Sequence, residues 1–313
     1  MTPSLTNPLN LAIIGFGSQA QSWAANLSDS GHNVSIYLRK DSISTQNVKE
    51  KGFNQKTLDQ FSKESNQFDF TLLLTPDHTH QQIIESYLKD IKDLNLVLAH
   101  GYSHWKHEFK NNYSNLNFFL LAPKAIASEL RSNYLEDKTL FAAVSDLHNE
   151  TFQRLVFGLG IKKPILSTFE EESVADLFSE QSLLCGLIPY AAKMSYRKLV
   201  EKDVNPEIAF IECWHEVKLI ADAMIQFGPQ GLFDLISPNA LIGADRFKTQ
   251  HLDDEWNEKL EQCFNSIKNR DFIEYESKND INVIRAKVLE YWGKSDIQKT
   301  YEQLGQNEHS GQK

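Results

Sequence analysis

Leu9-Asn-Leu-Ala-Ile-Ile-Gly-Phe-Gly-Ser-Gln-Ala20 decides the fold. Its first six residues are a short apolar run that stops at a glycine, as a strand covered on both faces does. Gly15, Phe16, Gly17, Ser18 and Gln19 then make a G-x-G-x-x-A turn, and Gln21-Ser-Trp-Ala-Ala-Asn-Leu27 continues as a helix. Gly31 closes that helix, and Asn33-Val-Ser-Ile-Tyr-Leu38 reads as a second strand. Glycines at such a turn let the chain bend tightly and bring a pyrophosphate up to backbone N–H groups at a helix N-terminus. A glycine pattern alone carries little weight. Here strand, turn, helix and second strand occur in the required order within about thirty residues, which makes a dinucleotide-binding βαβ unit the expectation.

The end of the second strand selects the nucleotide. An NAD site usually has Asp or Glu there for the ribose 2′-hydroxyl. This chain has Arg39, Lys40, Ser42 and Ser44, cations and hydroxyls suited to a 2′-phosphate. Asp41 leaves a ribose contact open, and a merely solvated loop is the alternative. NADPH is the expected cofactor.

Alternation continues beyond this unit. Asp69 to Leu74 is a strand, Thr75, Pro76 and Asp77 turn into a helix through Tyr87, and Leu94 to Ala99 is a strand ending at His100. Leu116 to Leu121 is another, ending in Ala122-Pro-Lys124. Thr139 to Val144, a helix from Glu150 to Leu159, and Lys163 to Leu166 complete the series. Strands alternating with helices mean a doubly wound parallel sheet, here of Rossmann-like α/β type, over residues 1–167. Ligands of such sheets bind beyond the carboxyl ends of the strands, where Thr75, Pro76, Asp77, His100 and Lys124 stand. A solvated loop residue is the alternative for each.

From Thr168 helical periodicity takes over, so residues 168–313 are expected to form an all-α domain with a frayed tail from Gly305. Two phrases stand out there. Asp176-Leu-Phe-Ser-Glu180 and Glu212-Cys-Trp-His-Glu216 each set two carboxylates four apart, on one face of a helix. Ile208 to Ala221 is apolar nearly all round the wheel, as a core helix would be. Buried carboxylates are costly unless paired or bound to metal, and hard divalent cations take oxygen ligands. Two helices with one wet stripe each are the alternative.

Composition narrows the class. The chain has 313 residues, enough for two cores, and a net charge of −10 that gives no basic surface for nucleic acid. No apolar run approaches ~18 residues, so no spanning helix is expected. Met1 to Asn10 has no basic segment leading into an apolar core, so no secretory signal is expected either. Cys185, Cys213 and Cys263 are an odd number without a C-x-x-C, which fits reduced thiols in a cytoplasmic protein.

The chain resembles the short form of the ketol-acid reductoisomerases of branched-chain amino-acid synthesis, in colinear order from about Leu9 to Phe247. Gly15 to Gln19 matches that family's nucleotide turn and Leu38 to Ser44 its phosphate-selecting loop. Ala99-His-Gly-Tyr102 and Leu121-Ala-Pro-Lys124 match the segments that supply a histidine and a lysine to the active site. The phrases from Thr168 to Gln181, Leu184-Cys-Gly186 and Ile211 to Ile220 are the most specific. The resemblance implies two Mg²⁺ ions, with Asp176 bridging, Glu180 on one of them, and Glu212 and Glu216 completing the ligands. It also implies that Ser237 bonds the substrate carboxylate, and that two subunits intertwine their helical domains in a homodimer or higher oligomer. His100, Lys124, Glu216 and Ser237 would then be the catalytic set. The implied reaction is a metal-dependent alkyl migration in 2-acetolactate or 2-aceto-2-hydroxybutyrate, followed by NADPH reduction to the 2,3-dihydroxy acid.

This chain departs from the family in three places. Ala20-Gln-Ser22 follows the turn where the family has Gly-His-Ala. Ala125-Ile-Ala127 replaces Gly-Pro-Gly, and Pro238-Asn-Ala-Leu-Ile-Gly243 replaces a more polar segment. An active isomeroreductase is the leading reading. A paralogue that reduces another 2-keto acid without isomerisation, and a non-catalytic NADPH-binding protein, are the competing ones.

Overall fold

The structure is a computed structural model that describes residues 7–305. The expected frayed tail lies outside the described residues from position 306 onward. The chain divides into two compact units, Met1–Ser173 and Val174–Lys313, and the division falls inside the helix Phe169–Ser179.

Among the described residues, eight strands build the first unit: β1 (Asn10–Ile14), β2 (Asn33–Leu38), β3 (Asn54–Thr57), β4 (Phe70–Leu73), β5 (Leu94–Leu98), β6 (Leu116–Pro123), β7 (Phe141–Val144) and β8 (Lys163–Leu166). Their order in the sheet is β3-β2-β1-β4-β5-β6-β7-β8. Side chains alternate across a strand, so Leu11 and Ile13 enter a core with Trp23, Leu27, Phe70 and Phe152 on one face. Ala12 and Ile14 enter the other core, with Tyr37, Phe61 and Leu98. Burial on both faces explains why β1 reads as an unbroken apolar run.

The sheet is mostly parallel, as expected, with one exception. β7 runs antiparallel to β6, pairing Leu121 with Val144 and Pro123 with Ala142, whereas the other pairings are parallel. The chain leaving β6 enters the helix Ala127–Leu135, whose Ala127 and Leu130 carbonyls accept from Ser22 and Asn26. A left-handed residue, Asp137, follows, and the chain returns beside the end of β6. The Lys124 N–H donates to the Phe141 carbonyl at 2.9 Å, so the return strand fixes the backbone of Lys124.

The second unit is helical in its described residues. Tyr196, Ala209, Phe210 and Ile297 form a small buried cluster in it, flanked by Trp292 and Tyr301. Two helical segments meet within Glu216–Leu235, broken just before Pro229 at Gly228, whose φ of 71° and ψ of 179° are non-helical and open to glycine alone. Ser237 caps the next helix, Pro238–His251. The core helix expected over Ile208 to Ala221 is not buried in one chain. Only Ala209 and Phe210 are, while Ile208, Ile211, Leu219 and Ile220 are exposed.

Candidate active site

Gly15 is where the nucleotide turn is tightest. Its φ is +99°, and a Cβ there would come within 3.0 Å of the Leu74 carbonyl and 2.8 Å of the Thr75 methyl. Glycine is therefore required, and it brings β1 and β4 together at their carboxyl ends. Gly17 caps the helix Ser18–Asp29, and open space lies where its Cβ would be. That space, over a helix N-terminus, fits a pyrophosphate. Arg39 lines a cavity of about 120 Å³ together with Thr75, Pro76 and Thr79. The sequence-predicted cofactor residues from Gly15 to Gln19, Arg39 and Thr75 to Asp77 thus surround the same strand ends, and they fit a dinucleotide. Lys40 and Ser42 are on the same loop as Arg39, and Ser44 donates its N–H to the Ser42 hydroxyl at 3.3 Å.

Gln19 has a second task. Its Nε2 donates to the Ala125 carbonyl at 3.2 Å, and the Ser22 hydroxyl donates to the Ala127 carbonyl at 2.7 Å. The departure loop beside Lys124 is therefore bolted to the nucleotide helix by side chains.

Lys124 and His100 meet at a residue the sequence reading passed over. Glu172 has a side chain 1% exposed. Its Oε1 accepts from Lys124 Nζ at 2.7 Å, and its Oε2 accepts the Gly101 N–H at 2.7 Å. His100 Nε2 stands 3.5 Å from the same Oε2. A buried carboxylate needs such partners, and here a cation and a backbone donor supply them. Gly101 permits the approach, since a Cβ there would lie 2.3 Å from the Phe169 carbonyl. On its other edge, His100 Nδ1 is 3.4 Å from Asp77 Oδ2. Burial alone would lift the Asp77 carboxyl. The hydrogen bond and charge of His100 oppose it, and Asp77 is held below the usual carboxylate range. The signal for Glu172 was available: Glu172, Asp176 and Glu180 fall four apart on one helical stripe.

Two of the four expected metal ligands, Glu180 and Glu212, sit in departures from α-helical geometry. Asp176 is in the helix Phe169–Ser179, and Glu180 opens a π-helical turn, Glu180–Leu184. Glu212 is inside a second π turn, Ile211–His215, and Glu216 begins the helix after it. Such turns insert one extra residue and recur at functional sites. Both pack against the helix Leu187–Val200. Their carboxylates are not buried in one chain, contrary to the sequence reading: Glu180 and Glu212 are exposed, Asp176 and Glu216 intermediate. An all-oxygen donor set still fits a hard cation that keeps part of its water. Ser237 is exposed, and its hydroxyl accepts the Ala240 N–H at 3.3 Å as a helix cap, which leaves its proton available to donate.

Comparison with known proteins gives the family. Residues 6–157 match the NADPH-binding domain of acetohydroxy acid isomeroreductase, and residues 169–309 match the C-terminal domain of ketol-acid reductoisomerase. The chain belongs to the ketol-acid reductoisomerase family. It is 31% identical over 296 residues to the ketol-acid reductoisomerase (NADP(+)) of Clostridioides difficile strain 630, covering 90% of this chain and 88% of that one. Its identity to the Methanococcus maripaludis C5 enzyme of the same name is 33% over 246 residues, 75% of this chain and 73% of the relative. Among solved structures, an NADH-preferring ketol-acid reductoisomerase from an uncultured archaeon superposes with a TM-score of 0.84 at 27% identity, covering 95% and 94% of the two chains. The chain is accordingly an NADP-linked oxidoreductase with the isomeroreductase activity of branched-chain amino-acid synthesis. Among its described residues, no helix is long and apolar enough to cross a membrane.

Proposed function

We propose that the nucleotide is NADPH, held by residues 1–167 at the Gly15–Gln19 turn with Arg39, Lys40, Ser42 and Ser44 on its 2′-phosphate. We assign two Mg²⁺ ions and the substrate, 2-acetolactate or 2-aceto-2-hydroxybutyrate, to residues 168–313 through Asp176, Glu180, Glu212 and Glu216. When bound, Mg²⁺ supplies Lewis acidity at the substrate oxygens and NADPH supplies the hydride. The observation that carries the reading furthest is Glu172, which gathers Lys124, Gly101 and His100 one turn before Asp176 on the same helix.

In this reading the side chains divide the work. Glu172 holds Lys124 in place, so its ammonium donates a hydrogen bond to a substrate oxygen or to water. His100, steadied between Asp77 and Glu172, shapes the nicotinamide side. Ser237 donates to the substrate carboxylate, and Glu216 serves the catalytic as well as the metal set. Exposed apolar side chains on the helices after Glu216, such as Ile225 at 86% and Ile242 at 68%, support a homodimer whose helical parts intertwine. A cytoplasmic enzyme fits the three free cysteines.

Asp176→Asn tests the metal assignment. Isomerisation of 2-acetolactate should be lost, by about a hundredfold or more, with NADPH affinity unchanged. Retained isomerisation would remove Asp176 from the metal site.

A further inference from the structure

His80 lies at the end of Thr75-Pro-Asp-His-Thr-His80 and is 3% exposed, although no role above uses it. Its Nε2 is 2.8 Å from the Thr75 carbonyl. A carbonyl only accepts, so Nε2 carries the proton. In the neutral ring Nδ1 is then an acceptor, and it accepts the Ser103 hydroxyl at 2.7 Å. Burial is the largest influence on this imidazole and lowers its pKa against the opposing pull of Asp77 and the Thr75 carbonyl, which keeps the ring neutral at neutral pH.

Both partners of the ring belong to loops that bear on His100. Thr75 follows β4, and Ser103 follows β5, its neighbour in the sheet. Ser103 is 1% exposed and sits three residues past His100. Asp77 stands between the two imidazoles, with Oδ1 3.5 Å from His80 Nδ1 and Oδ2 3.4 Å from His100 Nδ1. One ring thus ties the backbone of the first loop to a side chain of the second. The carboxylate held inside that tie is the one that meets His100.

We propose that His80 is a positioning residue: it clamps the Thr75–Asp77 turn to the start of the helix Tyr102–His107, and so sets where Asp77 holds the His100 ring. The clamp rests on His100 acting at the reacting end of the site, as proposed above. His80 touches no substrate and moves no proton. What it must provide is one donor and one acceptor, which the amide of glutamine also provides and leucine does not.

The test compares His80→Leu, His80→Gln, Ser103→Ala and His100→Gln in the full chain, reading kcat and KM for 2-acetolactate and NADPH affinity by fluorescence. His80→Leu is expected to lower kcat about ten- to a hundredfold while KM and NADPH affinity stay within about threefold. His80→Gln should recover kcat to within about threefold of the wild type, and Ser103→Ala should lie between. Wild-type kcat in His80→Leu, or glutamine as damaging as leucine, would overturn the clamp. So would parallel losses in kcat, KM and NADPH affinity, the mark of general loosening. Should the leucine variant fail to fold, Ser103→Ala decides, and wild-type kcat there overturns the proposal. His100→Gln at wild-type kcat would instead remove the role of His100 itself, and an impaired His100→Gln beside an unimpaired His80→Leu would remove only the clamp.

Discussion

Replacing Glu172 by Gln isolates the carboxylate that gathers Lys124, Gly101 and His100. The amide keeps the volume and its oxygen still accepts the Gly101 N–H, but the charge that holds Lys124 Nζ at 2.7 Å is gone. Removing one partner of a buried ion pair costs about 3–5 kcal/mol when the other charge is stranded. Lys124 is not stranded, since 42% of its side chain is exposed and its ammonium can rehydrate, so about 2 kcal/mol is the better figure. If that energy is what aims Lys124, the barrier rises by the same amount and kcat falls about thirtyfold. The melting temperature should fall by about 4–8 °C, as a unit of this size responds to that loss. NADPH oxidation with 2-acetolactate, thermal melting and NADPH titration read the three effects separately. Unchanged kcat with a lowered melting temperature would refute the reasoning, because Glu172 would then brace the fold without aiming Lys124.

Two further outcomes follow from burial and from exposure. His104 stacks on Phe169 with ring centroids 3.8 Å apart, and burial, with Lys110 adding to it, pushes its imidazole down to about 4. The unfolded chain takes up this proton near pH ~6.5, so the stability from the neutral ring is full above that and is lost as pH falls toward ~4. The loss is of order 1–3 kcal/mol, and His104→Phe should flatten it in urea titrations at about pH 7 and about pH 5; equal pH slopes in the two proteins would contradict this. Ile225→Asp places a charge on the exposed apolar face and should yield a monomer with reduced kcat by sedimentation and assay. An unchanged dimer, or a wild-type monomer, would contradict the intertwined assembly.

Much of the sheet is legible in the sequence because burial on both faces leaves apolar runs at β1, β2, β4, β5 and β6, punctuated by the Gly15 turn. β3 escapes notice, as Asn54-Gln-Lys-Thr57 lies at the sheet edge and carries no apolar pattern. The reversal of β7 is equally hidden, since Phe141-Ala-Ala-Val144 reads the same whichever way it pairs. Ile208 to Ala221 shows a different limit. Apolar residues all round a helix announce burial but not the surface that provides it, and one chain does not. Within the site, the proposed cofactor residues are legible because the βαβ order fixes their place. Glu172 was masked by Glu170 and Glu171, acids that any helix N-terminus accepts. His80 was masked because a histidine after a Thr-Pro-Asp turn reads as a surface residue until the fold buries it between two loops.

The most direct measurement follows NADPH oxidation by the purified chain with 2-acetolactate, with and without a chelator of Mg²⁺, beside the already rearranged 3-hydroxy-3-methyl-2-ketobutyrate. Turnover of 2-acetolactate that stops on chelation is the predicted result. Turnover of the rearranged keto acid alone, or 2-acetolactate consumption indifferent to the chelator, would contradict a metal-dependent isomerisation at the four carboxylates.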